Sequence, residues 1–310
     1  MDDKAPRPED ELLPVLREWD TLAEEERSLP RWVQKWGQRD TALHLIACAS
    51  EYFEPGLIRD AVRAIDWVYK FEDPPEEVSG AAISLALRAS ESDDPSVKAA
   101  GIWCLGSVES PTLPEAQKAD IVLKALLHRE RLVRREAQSA LHAPWGAEVV
   151  ERLLAALRER QHHRLGARWR FHALNEPATT PILRGIELSL PDLPAEARER
   201  VALGLGELLP HMRYPHVLWL ATYILASDIG GRLGAEVLVR SMARYSGRIR
   251  AACAMALVWE IDYREVPVEM CLELLGRLLH QRNRSLRRLA KVTARGIRKR
   301  HLPRDGPDQK

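Results

Sequence analysis

Apolar residues along this chain recur at the 3.6-residue period of a helix and scarcely anywhere at the two-residue period of a strand. The clearest segment is residues 93–108, Asp-Asp-Pro-Ser-Val-Lys-Ala-Ala-Gly-Ile-Trp-Cys-Leu-Gly-Ser-Val. Asp94 is placed to cap a helix, and Pro95 suits a first helical position, where its missing N–H costs nothing. Val97, Ala100, Gly101, Trp103, Cys104, Leu105 and Val108 then form one apolar stripe. Small residues within the stripe let a second helix come close. Gly101 reads as such a close-packing position, and its replacement by alanine is expected to be tolerated or mildly stabilising through helix propensity.

Weaker copies of this helix follow along the chain. Each has an apolar anchor, usually a basic neighbour, and small or apolar residues four and eight positions on. The anchors are Ile58, Val97, Val133, Leu165, Ala197, Ile249 and Leu286, at intervals of 39, 36, 32, 32, 52 and 37 residues. Five of these six spacings suit a two-helix repeat. Partner helices are predicted after Pro75, Pro114, Pro181 and Pro267. The long interval holds two further helical stretches, 214–227 and 232–245, separated by Gly230 and Gly231. One helix pair cannot bury both its faces, so such stripes need stacked neighbours.

Before the repeats, apolar periodicity starts near Asp10 with Leu12, Leu13, Leu16, Trp19 and Leu22. Trp32 and Trp36 lie one turn apart in a second short piece, and Asp40 is placed to cap the run from Thr41 to Ser50. The organisation expected is a disordered tail over 1–8, an N-terminal helical cap over 9–54, helical repeats over 55–302 and a second tail over 303–310.

This pattern resembles the HEAT-repeat superfamily, whose inner helices open on Asp-Pro-x-Val-Arg and end on Leu-Gly. Asp94 to Lys98 and Leu105-Gly106 match best, and Arg134, Arg198, Arg250 and Arg287 sit where that family places its recurrent basic residue. The resemblance implies an all-α fold, a right-handed α-α superhelix. It says little about activity, because a fold hosts many functions.

Composition agrees with a folded helical chain. It is 45% hydrophobic and 29% charged, and Ala, Leu, Arg and Glu predominate. The chain opens on acids and prolines and has no uncharged run long enough to span a bilayer, so a cytoplasmic protein without membrane insertion is expected. Cys48, Cys104, Cys253 and Cys271 fall inside apolar patterns without paired spacing and read as buried free thiols, not disulfides or zinc ligands. A net charge of +1 hides a split: residues 1–128 carry 25 acids against 14 Lys/Arg, and residues 129–310 carry 20 against 32. That asymmetry speaks to partners rather than fold.

Signals for chemistry are sparse. His162, His163 and His172 lie among arginines, which disfavour bound metal. No nucleophile triad, phosphate loop or HExxH motif is present, so no catalytic residue, metal or cofactor is expected. Two enzymatic branches of the HEAT group can be compared with the residues here. The di-iron deoxyhypusine hydroxylases use His-Glu dipeptides, and this chain has none. The AlkD-like DNA glycosylases use tryptophans with an Asp; Trp36 with Asp40 and Asp66 with Trp67 are the nearest pairs, better explained by packing and capping. Bilin lyases lack a short motif to test.

Nine tryptophans is a high count. Trp103, Trp219 and Trp259 sit on apolar stripes, so packing between repeats is expected of them, and of Trp145 beside its loop. Any that proved exposed on the concave face would be a candidate binding anchor.

Residues 282–304 hold ten Lys/Arg and no acid. On a helix, Leu286, Leu289, Ala290, Thr293, Ala294 and Ile297 make one face, and Arg284, Arg287, Arg288, Lys291, Arg295, Arg298 and Lys299 largely make a second. The function expected is that of a monomeric, non-enzymatic scaffold binding a protein partner, an acidic one being favoured by charge, through its concave surface, with Arg134, Arg198, Arg250 and this terminal stripe as the candidate contacts. The alternative is a nucleic-acid-binding protein, with or without base excision.

Overall fold

In the computed structural model, residues 7–19, 29–70, 72–108, 113–162, 172–212, 214–261 and 266–301 are described. All regular structure among them is helical. The chain divides into two compact units, Met1–Ala143 and Pro144–Lys310.

The first unit holds α1 (Pro8–Arg17), α2 (Leu29–Trp36), α3 (Gln38–Tyr52), α4 (Pro55–Val68), α5 (Glu76–Glu91), α6 (Pro95–Ser107), α7 (Glu115–Ala125) and α8 (Arg131–Ala140). Helices pair along the chain, α3 with α4, α5 with α6 and α7 with α8, and α4, α6 and α8 stack in one row. The anchors Ile58, Val97 and Val133 fall on that row and are buried. α6 begins as its sequence predicts: Asp94 Oδ1 accepts from the backbone N–H of Ser96 at 2.7 Å. At α3 the expectation fails by three residues. Gly37 adopts φ 84°, which glycine reaches without strain, and turns the chain so that the helix starts at Gln38. Asp40 therefore lies inside the first turn, where the helix dipole favours its charge, and pairs with Arg39 instead of capping.

The second unit holds α9 (Ala147–His162), α10 (His172–Ser189), α11 (Ala195–Leu208), α12 (Pro215–Tyr223), α13 (Gly231–Arg244), α14 (Gly247–Trp259), α15 (Val268–Leu279) and α16 (Arg284–His301). Its rows are α9, α11, α13 and α15 on one side and α10, α12, α14 and α16 on the other. The row containing the last two anchors thus starts its helices at residues 172, 215, 247 and 284, spacings of 43, 32 and 37. The anchor at Ala197 belongs to α11, in the opposite row. Its small-apolar pattern is real and buried, but it is that of a partner helix, and this misassignment produced the 52-residue interval.

Both helical stretches expected in that interval are present. α12 continues through a π-helical turn, Ile224–Asp228, and α13 opens on Gly231; Gly230 and Gly231, with φ values of 56° and 55°, make the bend. Helices α5, α7 and α15 do follow Pro75, Pro114 and Pro267 directly. Pro181 does not open a helix. It is buried within α10, although an interior proline gives up a ladder bond and crowds the carbonyl one turn back. The anchor at Leu165 and the histidine cluster at 162, 163 and 172 fall outside the described side chains.

All four cysteines are buried and free. Desolvation pushes the thiols of Cys104 and Cys253 up to about 12 and that of Cys48 to about 11, so they remain protonated hydrophobes.

Candidate interaction groove

The recurrent basic residues have a local job. Arg134 Nη1 donates to the carbonyls of His128 and Arg129 at 2.8 and 2.6 Å. Arg287 Nη1 does the same to Gln281 and Arg282 at 2.8 and 3.0 Å. Arg198 reaches the Pro191 carbonyl at 2.6 Å and Arg250 the Met242 carbonyl at 2.9 Å. In each case the guanidinium folds back five to eight residues onto the chain that leads into its own helix. Those carbonyls lie at the end of the preceding helix or in the connection after it, where a charged donor satisfies them strongly. Arg250 is only 8% exposed, so it is a tie inside the second unit and not part of a partner-facing surface. Arg134, Arg198 and Arg287 keep part of their surface in solvent but direct donors inward.

Uncovered apolar surface lies elsewhere. Trp219, Met255 and Trp259 are 49%, 59% and 57% exposed, which corrects the expectation that both tryptophans pack between repeats. They line a groove of about 580 Å³ between α12 and α14. From α12 come Pro215, Leu218, Trp219 and Thr222, at helical positions i, i+3, i+4 and i+7; from α14 come Ala251, Ala252, Met255 and Trp259 among others. Both sets follow one helical stripe. The alanines keep the floor low, and the larger side chains make the walls. Thr222 is buried there with its hydroxyl donating to the Leu218 carbonyl at 3.1 Å, so it presents little polarity. Trp219 stacks on Tyr223 at 5.3 Å.

Two cations lie beside these apolar residues. Arg248 contributes to the groove's lining and donates to the Met212 carbonyl at 2.9 Å. The Arg300 guanidinium, from α16, lies 3.7 Å from the centre of the Trp259 ring, a cation–π contact on one face of the indole. Glu260 is the acid in the lining.

Sequence periodicity missed these residues because α12 and α14 are apolar on more than one face. A single stripe cannot be assigned to a neighbour when two exist. The excess itself was the available signal: Pro-His-Val-Leu-Trp-Leu-Ala-Thr-Tyr has more apolar residues than one buried face needs. The other tryptophans divide. Trp32 and Trp145 are buried as expected, and Trp36 stacks on Trp32 at 4.9 Å. Trp103 is half-buried beneath the Arg63 guanidinium.

The remaining predicted cations, Arg284, Arg288, Lys291, Arg295, Arg298 and Lys299, are all exposed on α16. Leu286, Ala290, Thr293 and Ile297 are buried on its other side. Among the described residues no three metal-ligating side chains converge, and no helix is long and apolar enough to cross a membrane.

No protein-family model matches this chain, and no curated protein matches its sequence. Among solved structures, all of the chain aligns with 85% of a chain from a study of the structural basis of tubulin recruitment and assembly by microtubule polymerases with tumor overexpressed gene (TOG) domain arrays, at 11% identity and a TM-score of 0.29. A likeness at that score carries nothing about what the present chain binds.

Proposed function

We propose that this protein is a non-enzymatic helical-repeat scaffold that takes an apolar helical segment of a protein partner, bearing acidic residues, into the groove between α12 and α14. The observation that carries the reading is the exposure of Trp219, Met255 and Trp259 in one groove. Two rigid aromatic anchors and an adaptable methionine are the side chains that dominate binding energy where they are enclosed by a partner. A floor of alanines between two helices is also the shape that an amphipathic helix fills. Arg248 and Arg300 favour acids on that helix.

The test is affinity capture from the native organism after nuclease treatment, comparing wild type with Trp219→Ala/Trp259→Ala. Two anchors at about 2 kcal/mol each correspond to roughly a thousandfold loss of affinity. The partner should vanish from the variant's captures, and a photo-crosslinker at Met255 should attach to that same partner. Equal recovery of every partner by both proteins refutes the reading.

A further inference from the structure

α16 carries a second surface that the groove does not use. From the geometry of a helix, Arg284, Arg288, Lys291, Arg295, Arg298 and Lys299 fall in an arc about 100° wide, centred roughly 160° from the buried residues Leu286, Ala290, Thr293 and Ile297. The six cations therefore point away from the packed side and run along about 22 Å of helix. Among the described residues none of the six makes an ion pair. Arginines on other helices of the same unit do: half-buried Arg152 with Glu148 at 3.2 Å, and exposed Arg232 with Glu236 at 2.7 Å and Arg277 with Glu273 at 2.8 Å.

The difference is a matter of sequence, since the 18 residues of α16 include no acid. Arg284 with Arg288, Lys291 with Arg295 and Arg295 with Lys299 are i,i+4 like-charge pairs, which disfavour the helix. The helix dipole compensates only near the C-terminus, where cations are welcome, and opposes those at Arg284 and Arg288. A helix serving only to keep the end of a stack wet would do so better with mixed charge, as its neighbours do. A concentrated anion relieves this repulsion.

We infer that the outer face of α16 binds the phosphate backbone of a nucleic-acid duplex, without base-specific readout. Charge density and the lack of an apolar centre select this class over an acidic protein segment. Protein interfaces have an apolar core, and Val292 is the only large apolar side chain that α16 exposes, at the margin of the arc. Nucleic-acid interfaces are polar and strongly cationic, and arginine's planar fork suits phosphate. This site stands independently of the groove.

The experiment is fluorescence anisotropy of a labelled 20-base-pair DNA duplex with the full chain over a salt series. Contact with about four to six phosphates predicts a log K against log salt slope of roughly −4 to −5. The variant Arg288→Glu/Lys291→Glu/Arg295→Glu/Arg298→Glu should lose about a thousandfold or more at 0.1 M salt, since each lost phosphate contact lowers K roughly eightfold there. Circular dichroism checks its folding; should it be unfolded, the Arg→Gln and Lys→Gln version removes the charge and keeps helix propensity. A loss below thirtyfold in the folded variant, or a salt slope shallower than −2, overturns the proposal. So does poly-glutamate of equal charge displacing the duplex, which would assign the stripe to an acidic protein.

Discussion

Replacement of Gly101 by alanine separates two physical effects that act in opposite directions at one atom. Helix propensity alone favours alanine by about 1 kcal/mol inside a helix. At Gly101 the added Cβ would lie 2.7 Å from the Ala86 carbonyl oxygen and 2.7 Å from the Ala89 carbonyl carbon, and closer still to the Ser90 amide nitrogen. These are backbone atoms of α5, so no side chain can swing aside. Ordinary contact begins at 3.4 Å, and the Ser90 nitrogen, as the closest atom, sets the shift: the α5–α6 seam must open by about 1 Å. A gap of that size forfeits a quarter to a half of each affected contact. If the seam loosens about as many atom pairs as a buried leucine makes, 40–60 at ~0.15 kcal/mol each, the loss is about 2–4 kcal/mol. After the propensity gain, Gly101→Ala should cost about 2 kcal/mol, within the range seen for overpacked cores. Urea denaturation followed at 222 nm measures the total, and hydrogen exchange of α5 and α6 assigns it to the first unit. Gly276→Ala is the control: it sits in α15 with open space around a built Cβ, and should stabilise by up to about 1 kcal/mol. An unchanged or raised midpoint for Gly101→Ala would refute the reasoning and return the site to simple propensity.

Three further outcomes are expected. Asp228 lies in the π-helical turn with Oδ2 buried and, among the described residues, without a hydrogen-bond partner; burial, aided by Glu187 and opposed by Arg184, pushes its carboxyl up to about 6. A carboxyl raised above its unfolded value of about 3.9 costs stability as pH rises from about 4 through 6. Asp228→Asn should thus raise the unfolding free energy at pH 8 by on the order of 1 kcal/mol, discounted for partial exposure and read as a higher melting temperature, and the gain should vanish at pH 4; an equal gain at both pH values refutes it. Trp259→Ala should change stability by less than about 1 kcal/mol because the ring is largely exposed; a loss above about 3 kcal/mol in thermal unfolding would make it a core residue after all. Arg134→Met should destabilise by about 0.5–1.5 kcal/mol, because water can reach the carbonyls of His128 and Arg129 in part. Both bonds come from the one nitrogen Nη1, so Arg134→Lys should restore most of the loss; no recovery with lysine would show that the two carbonyls are not what Arg134 stabilises.

Helix class, the capped start of α6, the rhythm of its stack with α4 and α8, and the polarity of α16 were all legible in the chain, because each depends on residues within a few turns of one another. Capping by Asp94 is a contact between residues two apart, and the two faces of α16 follow from helical period alone. Three things were decided only by tertiary structure. Row membership was one: α11 has the same small-apolar pattern as the helices opposite it, and period cannot tell which neighbour a stripe meets. The use of the recurrent arginines was another, since whether a guanidinium faces a partner or folds back on carbonyls depends on where the preceding loop runs. The groove was the third. α12 and α14 are apolar on two sides, and only the placement of neighbouring helices settles which side is covered and which leaves Trp219, Met255 and Trp259 in solvent. The physical reason is common to all three: hydrophobic burial is non-directional, so a sequence states how much apolar surface must be covered, while the positions of distant segments decide by what.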